Sequence, residues 1–296
     1  MKKIYFAGCG GMLGDAFYNY SKNSFKIMCT DINITDNWIK YLDFRNFEDY
    51  FKDVTNFKPD YLFHVGAHTD LEYCENNIDD TYQTNTLSVE NAVRISNFLQ
   101  IPLVFISTAG IFDGKKETYD DWDLPNPLGH YAKSKYLAEQ FIQLNSYNYL
   151  ICRAGWMMGG GPRKDKKFVN KIIKQLDSGS NEINVVNDKL GTPTYTLDFV
   201  SNIFNILDSG YLGLYNLVCS GNTSRYEVTR EILEILKLTD KVKINKVNSS
   251  FFKQEYFAPR PNSENLINYK LNLRNLNNMR NWKICLKEYI DNEFKK

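Results

Sequence analysis

The sequence predicts an α/β protein built on a doubly wound parallel sheet, with a smaller C-terminal α+β part that binds substrate. Three observations predict it. Short, almost wholly apolar runs alternate with amphipathic stretches through the first half. A glycine-rich turn directly follows the first of those runs. No internal repeat, low-complexity tract or long Gly/Ser linker separates the halves, so they should share an extensive interface with a cleft between them.

The elements follow in order. Lys3 to Ala7 reads as a strand running into glycines, Phe25 to Thr30 as a second strand, and Asn46 to Asn56 as a helix. Tyr61 to Val65 is a third strand. From Asp79 to Leu99 the spacing is helical, with Thr86, Val89, Ala92, Val93 and Ile95 on one side. Leu103 to Ser107 is a fourth strand, Gly129 to Leu144 a helix, and Tyr149 to Ala154 a fifth strand. Strands buried on both faces and separated by helices belong to a parallel sheet. Right-handed crossovers then bring the strand C-termini to one edge, where ligands bind. Beyond Gly159 helices are expected over Lys167 to Leu176 and Leu197 to Leu207, and a strand over Gly213 to Val218. Ser224 and Glu227 form a capping box that starts a helix to Leu236, and a last helix runs from about Trp282 to Phe294. Residues 1–160 are read as the dinucleotide-binding domain and 161–296 as mainly substrate-binding, with about 195–219 packing back onto the first domain.

Composition excludes several classes. The formal net charge is +1, so no global field points to nucleic acid or an acidic membrane. No apolar run reaches the ~18 residues of a bilayer span. The basic cluster Arg163, Lys164, Lys166 and Lys167 reads as a solvated loop. Six scattered cysteines form no C-x-x-C pair, and the chain opens straight into a strand. Free thiols in a reducing, cytoplasmic setting are therefore expected. His64 and His68 are four apart at a strand end, and only a helix would put that spacing on one face, so no metal is expected.

The turn Gly8-Cys9-Gly10-Gly11-Met12-Leu13-Gly14 lies between a strand and a helix. Gly8 suits a tight turn, Gly11 a close approach of backbone to a pyrophosphate, and Gly14 close packing of helix on strand. This is the dinucleotide fingerprint of a Rossmann domain. Asp31, about twenty residues beyond the glycines, can accept both ribose hydroxyls of an adenosine and would repel a 2′-phosphate. NAD(H) is slightly favoured over NADP(H) on that ground. Asp43 is an adenine-contact candidate, and Met12 and Leu13 pack while orienting the cofactor.

Tyr131 and Lys135 share one face of a predicted helix, a turn apart. An ammonium beside a phenol favours phenolate, and bringing a tyrosine from about 10 to neutral asks ~4 kcal/mol of a site. Such a tyrosine exchanges a proton with a carbonyl oxygen. Thr108, past the fourth strand, is placed to bond the same oxygen. Tyr18 and Lys22 have the same spacing but should lie on an outer face, and no catalysis is assigned to them.

These residues resemble an extended short-chain dehydrogenase/reductase, most closely the dTDP-4-dehydrorhamnose reductase family. The resemblance runs through the glycine turn, Gly66-Ala67-His68-Thr69, Asn85, Ser107-Thr108, Tyr131 with Lys135, Arg153 to Trp156, Gly191 to Thr194, and Arg260-Pro261. It implies hydride delivery to a 4-keto-6-deoxysugar on a nucleoside diphosphate. Thr108, Tyr131 and Lys135 would be catalytic. Gly66, Ala67 and Asn85, with Tyr131 and Lys135, would join the glycine turn in binding cofactor. His68, Thr108, Trp156, Phe168 and Arg260 would face the sugar nucleotide. Trp156 and Phe168 equally suit core packing, and His68 suits a structural hydrogen bond. Arg260, between two prolines, can aim its planar fork at a diphosphate. A homodimer is considered, without a sequence feature that decides it.

One departure stands out. Where the family has Asp-Tyr after Ser-Thr, this chain has Ala109-Gly110. Two side chains with polar ends are missing beside Thr108. The pocket should then take a sugar unlike the rhamnose precursor, with room for a bulkier substituent unless another loop fills the space. A sugar-nucleotide epimerase of the same superfamily and a non-catalytic regulatory homologue are the competing readings. A 4,6-dehydratase lacks its Asp-Glu pair here.

Overall fold

The computed structural model describes residues 1–295, so Lys296, the last residue of the expected substrate part, lies outside the described residues. The chain opens with β1 (Lys3–Ala7), α1 (Met12–Ser21), β2 (Lys26–Asp31), β3 (Ile39–Tyr41), α2 (Phe47–Phe57) and β4 (Tyr61–His64). It continues with α3 (Leu71–Asn76), α4 (Ile78–Tyr82), a π-helical turn (Gln83–Leu87), α5 (Ser88–Leu99), β5 (Leu103–Thr108), α6 (His130–Asn145) and β6 (Tyr149–Ala154). The remainder comprises β7 (Trp156–Met158), α7 (Gly161–Lys164), α8 (Phe168–Asp177), β8 (Glu182–Val186), β9 (Leu190–Gly191) and β10 (Pro193–Tyr195). There follow α9 (Thr196–Ser209), β11 (Gly213–Asn216), β12 (Thr223–Ser224), α10 (Arg225–Leu236), β13 (Lys243–Val247), α11 (Tyr269–Leu273) and α12 (Trp282–Glu293).

Seven strands form one parallel sheet in the order β11-β6-β5-β4-β1-β2-β3. The fold is the doubly wound, Rossmann-like α/β fold. Its two faces follow from the two-residue period of a strand. Ile4 and Phe6 of β1 turn to the face covered by α1 and α9, joining Phe17, Phe63, Phe199 and Phe204. Tyr5 and Ala7 turn to the other face, with Tyr50 of α2, Val89 and Val93 of α5, and Ala138 and Ile142 of α6. Both faces being buried explains why the strand runs read as unbroken apolar segments.

Several local elements match the sequence reading. Asn46 caps α2 by accepting from the Asp49 N–H at 3.3 Å, and Ser224 caps α10 by accepting from the Glu227 N–H at 3.2 Å. The Glu227 carboxylate pairs with Arg230 at 2.8 Å instead of returning to the Ser224 N–H, so only half of the expected capping box forms. The edge strand β3 has only three residues and carries no period to read.

Two expectations are corrected. The helix expected from Asp79 to Leu99 is interrupted at Gln83–Leu87, where one turn widens to a π-helix. The widened turn carries Asn85, fully buried, whose amide donates to the His68 carbonyl (3.0 Å) and to Ser134 Oγ (3.1 Å) and whose oxygen accepts from the His68 N–H (2.8 Å). Satisfying those groups displaces the regular ladder. The basic cluster at 163–167 is also no simple solvated loop. Lys164 is buried, over the Trp38 ring, and its ammonium pairs with Asp15 (3.1 Å) and Asp36 (2.6 Å). Trp38 in turn stacks on Tyr18.

All six cysteines are buried free thiols. No helix among the described residues is long and apolar enough to cross a membrane.

Past β6, β7 pairs with β10, β9 with β12, and β8 with β13. Helices α8 and α10 pack together, α10 also against β8 and β13, and this layer faces the C-terminal edge of the large sheet. The chain returns to that sheet through α9, which packs on α1, and β11, which pairs with β6.

Helix α6 is tied to the sheet by a buried ion pair. Arg153 of β6 reaches Glu139 through Nη2 at 2.8 Å and Nε at 3.1 Å, with side chains 4% and 0% exposed. Removing one member strands the other as an unpaired buried charge, at a cost of about 3–5 kcal/mol. Arg153→Met should lower the unfolding free energy by that amount, and Arg153→Met with Glu139→Leu should recover most of it. Urea unfolding of the two variants checks both.

Candidate active site

The site is assembled at the C-terminal edge of the sheet. Gly8 has φ +90°, and a Cβ there would overlap the Gly66 backbone. A Cβ on Gly66 would overlap Phe44, and one on Gly14 would overlap the Cys9 backbone. These three glycines let the ends of β1 and β4 and the start of α1 close on one another. Gly66 donates its N–H to the Ala7 carbonyl at 3.0 Å, and Ala67 follows, half-buried, on the same loop.

Gly11 differs from the other three. It is the N-cap of α1, in extended backbone, with no side-chain cap, and a Cβ there would meet nothing within 4 Å. The first N–H groups of α1 therefore open onto free space with the positive end of the helix dipole behind them, a seat for a pyrophosphate. Met12 is buried and Leu13 packs against the core beside it. Asp31 closes the turn, its Oδ2 accepting from the Gly10 N–H (2.8 Å) and its Oδ1 from the Asn33 N–H (2.7 Å).

Asp43 does not stand free. Arg45 grips both of its oxygens at 2.7–3.0 Å and holds the carboxyl below the usual carboxylate range. The same guanidinium reaches Asp80 at 2.8 Å, and Asp80 accepts from the Tyr73 hydroxyl (2.8 Å) and lies 2.7 Å from His68 Nε2. The His68 ring is thus engaged by an acid on the sheet side. His64 is separate: it is buried between Tyr50 (3.3 Å) and Ser88 (3.0 Å), and burial, helped by Lys135, lowers its pKa to about 3.

Thr108, Tyr131 and Lys135 converge. Thr108 ends β5 and its Oγ1 accepts from the Gly110 N–H at 3.1 Å. Tyr131 stands in the first turn of α6 and Lys135 one turn on, buried, with Nζ 3.9 Å from the centre of the Phe105 ring. Burial pushes the Tyr131 phenol up to about 12, while the facing Thr108 hydroxyl pulls it down. Burial lowers Lys135 to about 7, opposed by Glu139 one turn further along. The phenol is therefore protonated at neutral pH.

The substrate side is wired differently from the expectation. The Arg260 fork is already in a two-pronged pair with Glu72 of α3 (2.7 and 2.9 Å), and Nη1 also donates to the Ala258 carbonyl. Trp156 and Phe168 both lie against one cation, Arg225, whose guanidinium carbon is 3.7 Å and 4.6 Å from their ring centres. The Trp156 indole N–H donates to Glu264. Glu264 also corrects the emptiness expected beside Ala109-Gly110. Its Oε1 lies 3.2 Å from where a Cβ on Gly110 would stand.

Arg225 and Glu264 are absent from the sequence reading. For Arg225 one sign was readable. It is the first residue of α10, where the helix dipole favours anions over cations. Glu264 carries no local sign at all. The described residues hold one group with metal-ligand spacing, Asp198, Cys219 and Cys285, but Arg280 occupies both Asp198 oxygens at 2.6–3.2 Å and meets its charge.

A parallel sheet with a dinucleotide turn and a threonine, tyrosine and lysine at its C-terminal edge defines an extended short-chain dehydrogenase/reductase. Within that class, a family model described as the RmlD substrate binding domain matches residues 1–294, and the chain belongs to that family. It is 28% identical to the spore coat polysaccharide biosynthesis protein SpsK of Bacillus subtilis, over 98% of this chain and 97% of that protein. Among solved structures it resembles the dTDP-4-dehydrorhamnose reductase of Yersinia enterocolitica, with TM-score 0.88, 32% identity, and 98% and 99% of the two chains covered. It also resembles the dTDP-4-dehydrorhamnose reductase of Bacillus anthracis in complex with NADP, with TM-score 0.89, 26% identity and the same coverage.

The glycine geometry separates two kinds of substitution. Gly11→Val should fold with a loss of about 1 kcal/mol at most, the cost of a poorer N-cap, because its side chain enters free space. On the dinucleotide reading it should weaken nicotinamide cofactor binding about tenfold or more, because the side chain would fill the space in front of the first N–H groups of α1. Gly8→Val should instead destabilise the fold. Thermal unfolding with cofactor titration calorimetry tells the two apart.

Proposed function

We propose that the protein is an NAD(P)H-dependent reductase of a nucleotide-linked 4-keto-6-deoxysugar, and that Tyr131 supplies the proton. The observation that carries this reading is the placement of Tyr131 facing Thr108, with Lys135 buried one turn away, beside an uncapped helix N-terminus. The open seat at Gly11 and the backbone approach permitted by Gly8, Gly14 and Gly66 fit a dinucleotide. Gly8, Gly11, Met12, Leu13, Gly14, Gly66, Ala67 and Asn85 would hold or shape its site. When bound, the reduced nicotinamide supplies a hydride.

The chain's own residues account for the rest. Thr108 donates a hydrogen bond to the carbonyl oxygen and fixes its direction. Tyr131 holds a proton at its phenol oxygen and passes it to the same oxygen as charge develops there. A phenol that burial keeps protonated suits reduction, in which the side chain starts as the acid. Lys135, desolvated over Phe105, recovers its charge beside an anionic partner and favours the phenolate left after proton transfer. Trp156 and Phe168 wall the cleft.

Asp31 supports NAD(H). Its carboxylate is fixed at the mouth of the turn by two backbone N–H groups, where a 2′-phosphate would meet like charge. Nearby cations are committed elsewhere: Lys40 to Asp53, Arg163 to Asp36, and Lys164 to Asp15 and Asp36. NADH should therefore match or exceed NADPH in kcat/KM, and a strong preference for NADPH in steady-state kinetics would contradict this placement of Asp31.

Tyr131→Phe should lower turnover by ~100-fold or more and leave cofactor affinity nearly unchanged. Stoichiometric NAD(P)H oxidation with 4-keto-6-deoxysugar nucleotides is the direct assay. Epimerised sugar without net oxidation of cofactor, or full activity in Tyr131→Phe, would refute the proposal.

A further inference from the structure

Gly110 leaves one flank of Thr108 without a side chain of its own. Glu264 reaches that flank from the far end of the chain. Its Oε1 is 3.2 Å from the position of a Cβ on Gly110, and that position is 3.5 Å from Thr108 Oγ1. The carboxylate is brought there by a loop pinned on both sides. Leu190 of β9 donates to the Asn262 carbonyl and accepts from the Glu264 N–H, both at 2.9 Å. The next residue, Asn265, is fully buried, and its carbonyl accepts from the Tyr119 N–H at 2.9 Å. A side chain on so fixed a backbone is pre-positioned, and its ordering cost is met in folding rather than in binding.

The two oxygens of Glu264 have different surroundings. Oε2 accepts the Trp156 indole N–H, and Oε1 faces the Thr108 flank. Arg225, over the same Trp156 ring, attracts the carboxylate across this wall. Glu264 is also near enough to Tyr131 for its charge to make the phenol hold its proton more firmly. An ionised carboxylate is acceptor-only, so an oxygen presented beside Thr108 calls for a donor. Thr108 addresses the carbonyl oxygen, and the group next to it on the sugar is the substituent of an adjoining ring carbon.

We propose that Glu264 is a sugar-binding residue that accepts a hydrogen bond from the hydroxyl on the carbon adjoining the reacting carbonyl. In this way a distant loop places a carboxylate on the flank that Gly110 leaves without a side chain. The proposal rests on the sugar-nucleotide reading above. It makes the pocket selective for sugars that present a donor at that carbon. It also removes the ground for expecting the rhamnose precursor to be a poor substrate.

The test measures cofactor-loaded protein by calorimetry with dTDP and with dTDP-rhamnose, and by kinetics with dTDP-4-dehydrorhamnose. Glu264→Gln keeps the size of the side chain and an oxygen for the Trp156 N–H, but turns a donor toward the sugar. Wild type should bind dTDP-rhamnose more tightly than dTDP. Glu264→Gln should cut that advantage about tenfold and kcat/KM by roughly 10- to 100-fold, with dTDP and cofactor affinities and the melting temperature unchanged. Gly110→Asp placed in Glu264→Ala should restore part of the lost selectivity, because its carboxylate starts from the position that Glu264 now approaches, which a residue that only props Trp156 would not allow. The proposal is overturned if Glu264→Gln leaves the dTDP-rhamnose advantage intact, if wild type shows no such advantage, or if Gly110→Asp restores nothing. Sugar-selective binding lost in Glu264→Gln, in a wild type that never oxidises NAD(P)H, would sink the reductase reading and leave Glu264 assigned.

Discussion

Between β6 and α6 a guanidinium and a carboxylate share an interior that excludes water, and the active-site geometry hangs on that contact. Arg153 and Glu139 are among the most buried charged groups in the chain. Ion pairs so placed gain little net stability over an apolar pair, because desolvation offsets most of their attraction. What this one does is directional. It sets the rotation of α6 against the sheet, and α6 carries Tyr131 and Lys135. Glu139 lies one turn beyond Lys135 and is the charge that opposes its desolvation. The effects reach further, since the buried ammonium also helps keep His64 neutral.

The opposite wall of the cleft is held by contacts between residues far apart in the chain. Glu72 on α3 holds Arg260, Thr69 receives the Lys167 ammonium through its carbonyl and hydroxyl at 3.1 Å, and Lys164 bridges Asp15 and Asp36. Each of these joins the nucleotide-binding layer to the C-terminal part. The arginine fork that looked free for a diphosphate is one of these ties. The cation left against aromatic rings at the mouth of the site is Arg225, half-buried and desolvated. A guanidinium on an indole face keeps its in-plane donors available. Glu264 then balances the charge of that wall, so the cleft presents a cation and an anion on either side of Trp156.

The features legible in the sequence were those that depend on neighbours a few residues away. The alternating strand runs, the Ser224 cap and the Tyr131–Lys135 spacing are all local, set by periods of 2 and 3.6 residues and by one turn of backbone. The same holds for Gly8, which needs positive φ at a strand end. The doubly wound sheet follows from those signals because handedness and burial leave few other ways to close it. Thr108 and Tyr131 could be named because a strand end and a helix start put them at the C-terminal edge, whereas Phe168 and Arg260 were named only through the family resemblance.

What tertiary structure decided is which charges meet. Asp43 and Arg45 are adjacent enough to have been paired by inspection, but Arg45 reaching Asp80 and Asp80 reaching His68 needed α4 to meet the loops that follow β3 and β4. The π turn around Asn85 exists because the His68 backbone and Ser134 come together there. Lys164 is buried only because Trp38, Asp15 and Asp36 surround it. Glu264 and Gly110 lie over 150 residues apart in the chain, and no local period connects a missing side chain to the loop that replaces it. The sequence by itself determined the fold and the edge where chemistry sits, through short-range sterics and burial. The partners of each charged group, and with them the polarity of the cleft, were decided only when distant loops closed over that edge.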